Sequence, residues 1–392
     1  MAAIKNNKTL LALTSAALAL PGMAPRTALS LDIGGLEIGD IEGGFQYSHY
    51  EEGDDRINAD TYQGTVTLPL TGRLNLNGHW IVDAWSGATP SINVPSEVLG
   101  RPDGDVVQIL TSASPETRVA FDLRAGYQFD DVLLEFGGGS SDERDYDSTF
   151  FNFRTAWDLN EKQTTLSLGL NYQDDDIEAV TRPDLHGQKS VYNIQVGVTQ
   201  VLSKDSLITS TFGYTRSSGF LSNPYKRVFI QDLGAFFEQR PDNRNSWVWD
   251  TRYIRHLAAW DAALHLDYRL FADDWGVHAH TFEAAWYQPL GHDWQVVPRV
   301  RYYSQNDADF YQPFFTQEEA ADEEFSSDHR LAGFGAISGG AVVTKDWADW
   351  LNFETSFEYY QRYADLEIGG DGESDFADYN FWLVNVAVKI KF

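Results

Sequence analysis

Acids and bases recur at every second residue through the stretch from 246 to 303. Asp250 and Arg252 form one such set, His265, Asp267 and Arg269 a second, and Arg299 and Arg301 a third. Glu283 lies between them in sequence, and Arg330 follows further on. A period of two places each set on one face of a β-strand. On neighbouring strands, carboxylates and guanidiniums spaced this way can pair, which offsets the cost of enclosing charge. Around a lumen, such a lining is a charged constriction that selects polar or anionic solutes. The same lattice can also do no more than brace a water-filled barrel. Both readings stay open at the level of sequence.

Other groupings are poorer in chemistry. His278 and His280 share a strand face near Asp273 and Asp274, but two imidazoles alone do not make a metal centre. The acidic runs at 54–55, 142–147, 174–178, 318–324 and 371–375 lack the ordered spacing of a calcium loop. They read as solvated loops, able to bridge to lipopolysaccharide through divalent ions. No G-x-S-x-G elbow is present. His49, His278, His280 and His329 are the histidines that a rim-site hydrolase would draw on. No enzyme is expected, and no catalytic residue, metal or cofactor is assigned. The absence of cysteine removes thiol catalysis, iron–sulfur clusters and covalent haem.

Strands must position these residues. Windows of roughly ten residues, the length that crosses a bilayer when tilted, fall at 41–51, 61–70, 73–86, 117–128, 131–140, 146–157, 163–173 and 190–202. The second half adds 206–217, 246–257, 262–272, 277–288, 293–303, 328–342, 350–361 and 378–392. Val119, Phe121 and Leu123 alternate with Arg118, Asp122 and Arg124, and Leu264, Leu266 and Leu270 with His265, Asp267 and Arg269. Short connections such as Thr71-Gly72 and 203–205 alternate with long ones at 87–116, 174–189, 218–245, 304–327 and 362–377. This is the arrangement of an all-β, up-and-down antiparallel transmembrane barrel of the outer-membrane kind, with about sixteen strands. Fourteen is the fallback, because the first window and the Gly137-Gly138-Gly139 window are weak. Short turns then face the periplasm and long acidic loops the exterior. Trp157, Trp247, Trp249, Trp260, Trp275, Trp294, Trp347 and Trp350 fit two interfacial girdles.

The ends agree. Lys5 and Lys8, the apolar run from Thr9 to Leu20 and Gly22-Met23-Ala24 read as a signal peptide over 1–24. A short periplasmic segment follows over 25–40, and the barrel occupies 41–392. The last strand carries Trp382, Val384, Val386, Val388, Ile390 and Phe392 on one face. It resembles the closing strand of Gram-negative barrels, whose terminal Phe is read by the barrel-assembly machinery. A net charge of −29 makes nucleic acid an unsuitable partner and leaves lipid and lipopolysaccharide as the surroundings. The loop holding Gly219 to Lys226, with Arg227, Arg240 and Arg244 beyond it, either folds inward to narrow the pore or caps the surface.

Several stretches together resemble one family. They are the amino-terminal M-A-A-I-K-N-N-K-T-L-L-A-L-T-S-A-A-L-A-L-P-G, Tyr47 to Glu52, Gly219 to Lys226, Arg240 to Asp242 with the W-V-W-D-T-R-Y-I-R-H strand, Ala262 to Pro289, and Arg301 to Gln305. The chain is similar, over nearly its whole mature length, to proteobacterial exported proteins grouped as a domain of unknown function. The resemblance implies an outer-membrane barrel. It also implies neighbours: members are encoded beside thioredoxin-like proteins, small lipoproteins and a flavin transferase, which points to periplasmic redox or lipoprotein partners. The expectation is therefore a porin-like channel passing small polar solutes through a charged lumen. A closed barrel scaffolding such partners is the alternative, and an outer-rim enzyme the second alternative.

Overall fold

A computed structural model describes residues 31–392 apart from 34, 35, 39, 55, 102, 103, 323, 371 and 373–376. The signal peptide expected over 1–24 lies outside the described residues. Of the segment 25–40, two short strands are described, β1 (Leu31–Ile33) and β2 (Leu36–Ile38), paired with each other.

The barrel begins with β3 (Glu42–Glu52), β4 (Ile57–Pro69), β5 (Leu74–Pro95), β6 (Val106–Gln128), β7 (Val132–Glu143), β8 (Tyr146–Leu159), β9 (Thr164–Ile177) and β10 (Gly187–Ser203). It continues with β11 (Ser206–Gly219), β14 (Asn243–Leu257), β15 (Ala262–Asp273), β16 (His278–Gly291), β17 (Trp294–Gln305), β18 (Phe334–Ala348), β19 (Leu351–Tyr363) and β20 (Tyr379–Lys391). A separate hairpin, β12 (Arg227–Ile230) with β13 (Gly234–Phe237), interrupts this run between β11 and β14. The sixteen strands form one closed antiparallel sheet in which β20 pairs with β3. Phe392 N donates to Ile41 O at 2.8 Å and Ile41 N to Phe392 O at 3.1 Å, which completes the seam. Sixteen, not fourteen, is the strand number.

A sheet closed on itself has no open edge, so every strand can satisfy its backbone within the hydrocarbon. Side chains then divide by parity. Val119, Phe121, Leu123, Phe136, Phe151, Ile194, Val196, Leu266, Phe282, Val300 and Phe357 are exposed on the outer wall. Their sequence neighbours point inward. At the short-turn end Trp260, Trp347, Trp350 and Phe392 are strongly exposed, as an interfacial belt requires. The glycine-rich β7 holds as a strand because its neighbours fill the space. A Cβ on Gly139 would sit 2.3 Å from Phe121 O.

Four expectations need correction. Residues 87–116 are not a loop: β5 and β6 stay paired out to Pro95 and Val106. The register slips at Trp85/Gly87 and Pro90/Ile92. Gly87 takes φ +125°, where a Cβ would meet Arg56 O at 1.9 Å, so the bulge demands glycine. Second, the strand expected over 328–342 starts at Phe334. Third, it runs through the turn expected at 345–348. Fourth, Trp275 is no girdle residue, being 3% exposed inside a loop cluster.

Candidate functional site

The inner wall from β14 to β19 carries the predicted charges, and the register brings them together. Asp250 lies opposite Arg269, Arg252 opposite Asp267, Asp267 opposite Glu283, and Glu283 opposite Arg301. Arg252 Nε donates to Asp267 Oδ1 at 2.5 Å and Arg301 Nε to Glu283 Oε2 at 2.7 Å. Arg269 and Asp250 are looser, at 3.7 Å. Arg299 pairs with Glu358, which Arg301 also approaches at 3.8 Å. His265 makes no such pair and stacks on Tyr287 with ring centroids 4.1 Å apart. The Arg252 and Arg269 side chains stay 39% and 40% exposed. The lattice therefore faces water at Asp250, Arg252 and Arg269, whereas Glu358 and His265 are buried at its ends.

The lining has two parts beyond the predicted charged set. Glu358 sits on β19, where its even parity within the predicted strand would have exposed it. The opposite wall is charged as well. There Arg118 Nε donates to Asp83 at 2.8 Å, Arg124 Nε to Asp122 at 3.1 Å, and Lys189 pairs with Asp175 at 2.7 Å. His79 Nδ1 lies 3.0 Å from Asp122 Oδ2.

Arg330 is not on this wall. It belongs to a lid built from two long connections, 220–242 with its β12–β13 hairpin and 306–333, at the long-loop end. The two are stitched by backbone bonds: Gln239 N to Phe325 O at 3.0 Å, Phe325 N to Gln239 O at 2.8 Å, and Phe315 N to Phe229 O at 3.0 Å. Two apolar clusters give it a core. One contains Leu221, Trp275, Val277, Ala308, Tyr311, Leu331 and Ala332. The other contains Val228, Ile230, Phe315 and Phe325. Asn93, fully buried on the extension of β5, donates to Ser327 O at 3.1 Å and ties the lid to the wall.

Charge inside the lid is desolvated. Asp328, 1% exposed, accepts from Arg240 at 2.5 Å and from Arg330 Nε at 2.8 and 2.9 Å. Arg240 also donates to Glu238 at 3.0 Å, and Ser326 Oγ donates to Glu238 at 2.5 Å. Burial disfavours the charge on Asp328, but the guanidiniums of Arg330 and Arg240 win and hold it well below the usual carboxylate range. Burial pushes Lys226 down from 10.5 to about 8, with Asp328 and Glu238 opposing the shift. His329 is driven well below its ordinary value by burial, helped by Arg362, Lys226 and Arg330. The Gly219 to Lys226 loop thus folds into the lid, and Lys226 is 2% exposed.

The remaining candidates separate. His278 Nδ1 lies 3.0 Å from Gly276 O, and His280 Nδ1 2.9 Å from the Tyr268 hydroxyl. Asp273 accepts from Arg244 Nε at 2.7 Å and Asp274 from Asn245. No group of three ligands converges among the described residues. His49 Nδ1 sits 2.8 Å from Asp60 Oδ1. Trp382, Val384, Val386, Val388, Ile390 and Phe392 lie along β20 and its end, with Val386 and Phe392 exposed.

Comparison with known proteins places this architecture. The model of a family described as "Protein of unknown function (DUF3570)" matches residues 10–186 and 180–383. No curated protein matches the chain. Among solved structures, a bacterial polysaccharide outer membrane secretin is 9% identical, with a TM-score of 0.50 over 90% of this chain and 98% of that one. CdiB from Acinetobacter baumannii is 11% identical, with a TM-score of 0.50 over 90% of this chain and 60% of that one. OccD3 from Pseudomonas aeruginosa is 8% identical over 96% of each chain, with a TM-score of 0.46. At such identities the likeness is one of fold: a closed outer-membrane barrel.

Proposed function

We propose that this chain, which belongs to the DUF3570 family of proteins of unknown function, is a porin-like channel for passive passage of small polar solutes. The observation that carries the reading is the water-facing lattice on β14–β19. A barrel closed by its own packing would bury these groups or replace them with apolar ones, because enclosed ion pairs add little stability. Here interleaved Asp250, Arg252, Asp267, Arg269, Glu283, Arg299, Arg301 and Glu358 line one wall; Asp250, Arg252 and Arg269 are exposed to water, the others are partly covered and Glu358 is buried. His265 adds a polar ring to that wall. The long-loop end with its lid faces the exterior and the short turns face the periplasm, as in bacterial barrels generally. Lipid and lipopolysaccharide surround the outer wall, and the β20 strand ending at Phe392 is the feature that the assembly machinery would read.

The test is single-channel conductance of the refolded full chain in a planar bilayer, beside a variant carrying Arg252→Ala, Arg269→Ala and Arg301→Ala. A shift of selectivity towards cations in the variant supports the reading. A folded barrel with no conductance in either form removes it. One observation favours a second reading, a closed barrel that scaffolds periplasmic redox or lipoprotein partners: the lid has its own apolar core and spans the mouth. Silence in the bilayer together with specific co-purification of a periplasmic partner would select that reading.

A further inference from the structure

Four cations, Lys226, Arg240, Arg330 and Arg362, lie under the lid with three carboxylates, Glu238, Asp328 and Glu367, the last packed against Gly333. Glu238 and Asp328 are engaged by Arg240 and Arg330. Lys226 and Arg362, each 2% exposed, form no ion pair with any described residue. Lys226 Nζ, Arg362 Nε and His329 Nδ1 are enclosed and lack a hydrogen-bond partner among the described residues. His329 Nδ1 comes only to 3.7 Å from Asp328. Arg362 instead lies over the Phe334 ring at 3.7 Å and beside Tyr379 at 5.9 Å. His329 meets the same Tyr379 ring edge-on at 6.1 Å, so Arg362 and His329 flank one aromatic group.

An enclosed cation without a counter-charge is costly, and so is each enclosed donor left unpaired. Aromatic faces compensate a guanidinium in part, but they offer nothing to the Lys226 ammonium. An anion that reached both groups would answer both deficits. Its oxygens could accept from the planar fork of Arg362, from the three donors of Lys226 and from the neutral imidazole of His329. The place is consistent with a route. Arg362 is four residues beyond Glu358 on the same face of β19, roughly 13 Å along the wall from the Arg299–Arg301 pair region.

We propose that Lys226, His329 and Arg362 form an oxyanion-binding site between the lid and β19, filled by a solute bearing a carboxylate or phosphate group. The proposal rests on the channel reading for the word solute, and it gives that solute its charge.

The experiment is calorimetric titration of the full chain in detergent at pH 7 with inorganic phosphate and, separately, acetate, at constant ionic strength with chloride as background. The wild type should bind one of them saturably, and the preferred ion identifies the group. Lys226→Met, checked for an intact barrel by heat-modifiable gel migration, should bind at least about ten-fold more weakly. Exposed Lys204→Met should bind as wild type. Equal affinity in folded Lys226→Met, or no saturable binding of either anion by the wild type, would overturn the site; the wild-type titration decides even where the variant fails to fold. A silent barrel that binds the anion removes the channel reading and leaves this site standing. A conducting barrel that binds neither anion does the reverse.

Discussion

The wall and the lid use the same residue types to opposite effect. On the wall, Arg252 and Asp267 meet at 2.5 Å while 39% and 25% of their side chains stay exposed. In the lid, Arg240 and Asp328 meet at the same 2.5 Å with 3% and 2% exposed. Water screens the first pair, so the wall can change charge without coming apart. The second pair has given up its hydration, so removing one partner leaves a buried charge with one counter-charge fewer: Arg240 keeps Glu238, and Asp328 keeps Arg330. Geometry alone does not distinguish a selectivity element from a structural clasp; desolvation does.

The largest effect is expected from breaking the clasp. Asp328→Ala removes the carboxylate that Arg240 shares with Arg330 and leaves Arg240 with Glu238 alone, at a cost of about 3 kcal/mol to the lid. Limited proteolysis should then cut within 306–333 while the barrel keeps its heat-modifiable migration. An equally resistant variant would show that the lid does not depend on this carboxylate.

Lys226→Met should act in the opposite direction. The folded lysine releases its proton at about 8, whereas the opened loop holds it to the ordinary 10.5. Between those values the open form binds more protons, so lid stability rises with pH from 8 to 10.5, and the full cost of the buried charge applies below 8. That cost is roughly 3 kcal/mol. Hydrogen-exchange protection at Ser326 and Gln239, taken against the intrinsic rate at each pH, should rise across this window in the wild type. Protection should be higher and flat with pH in Lys226→Met, which has no ammonium to lose there. A persisting pH slope in the variant would assign the effect elsewhere.

Asn93→Ala tests the tie between lid and wall. Losing its bond to Ser327 O should cost about 1–2 kcal/mol, read as faster exchange in 326–328 with β5 and β6 unaffected. The smallest effect on stability belongs to Arg252→Ala, below about 1 kcal/mol in thermal unfolding. Destabilisation comparable to that of Asp328→Ala would place the wall pair in the same class as the clasp.

The barrel was legible in the sequence because lipid imposes a period of two on every spanning strand. All sixteen windows correspond to strands, including the glycine-rich β7. The extension of β5 and β6 was hidden by Gly87 and Pro90, residues that signal a loop locally but here form bulges in a continuing ribbon. The lid was hidden for a different reason. Arg240 and Asp328 are 88 residues apart, and Asn93 and Ser327 are 234 apart. No local period records such contacts, so Arg330 read as wall and Trp275 as girdle. The wall pairs were legible because parity and neighbouring strands suffice to place them. Glu358 obeyed the same parity and could have been placed with them.

Conductance of the wild type beside Asp328→Ala tests the central claim, a hydrated charged lumen beneath a clasped lid, most directly. Small steps are expected in the wild type and larger steps in the variant, with ion selectivity unchanged because the wall is untouched. A variant whose lid is open to protease and whose barrel is intact, yet which carries no current, would contradict it.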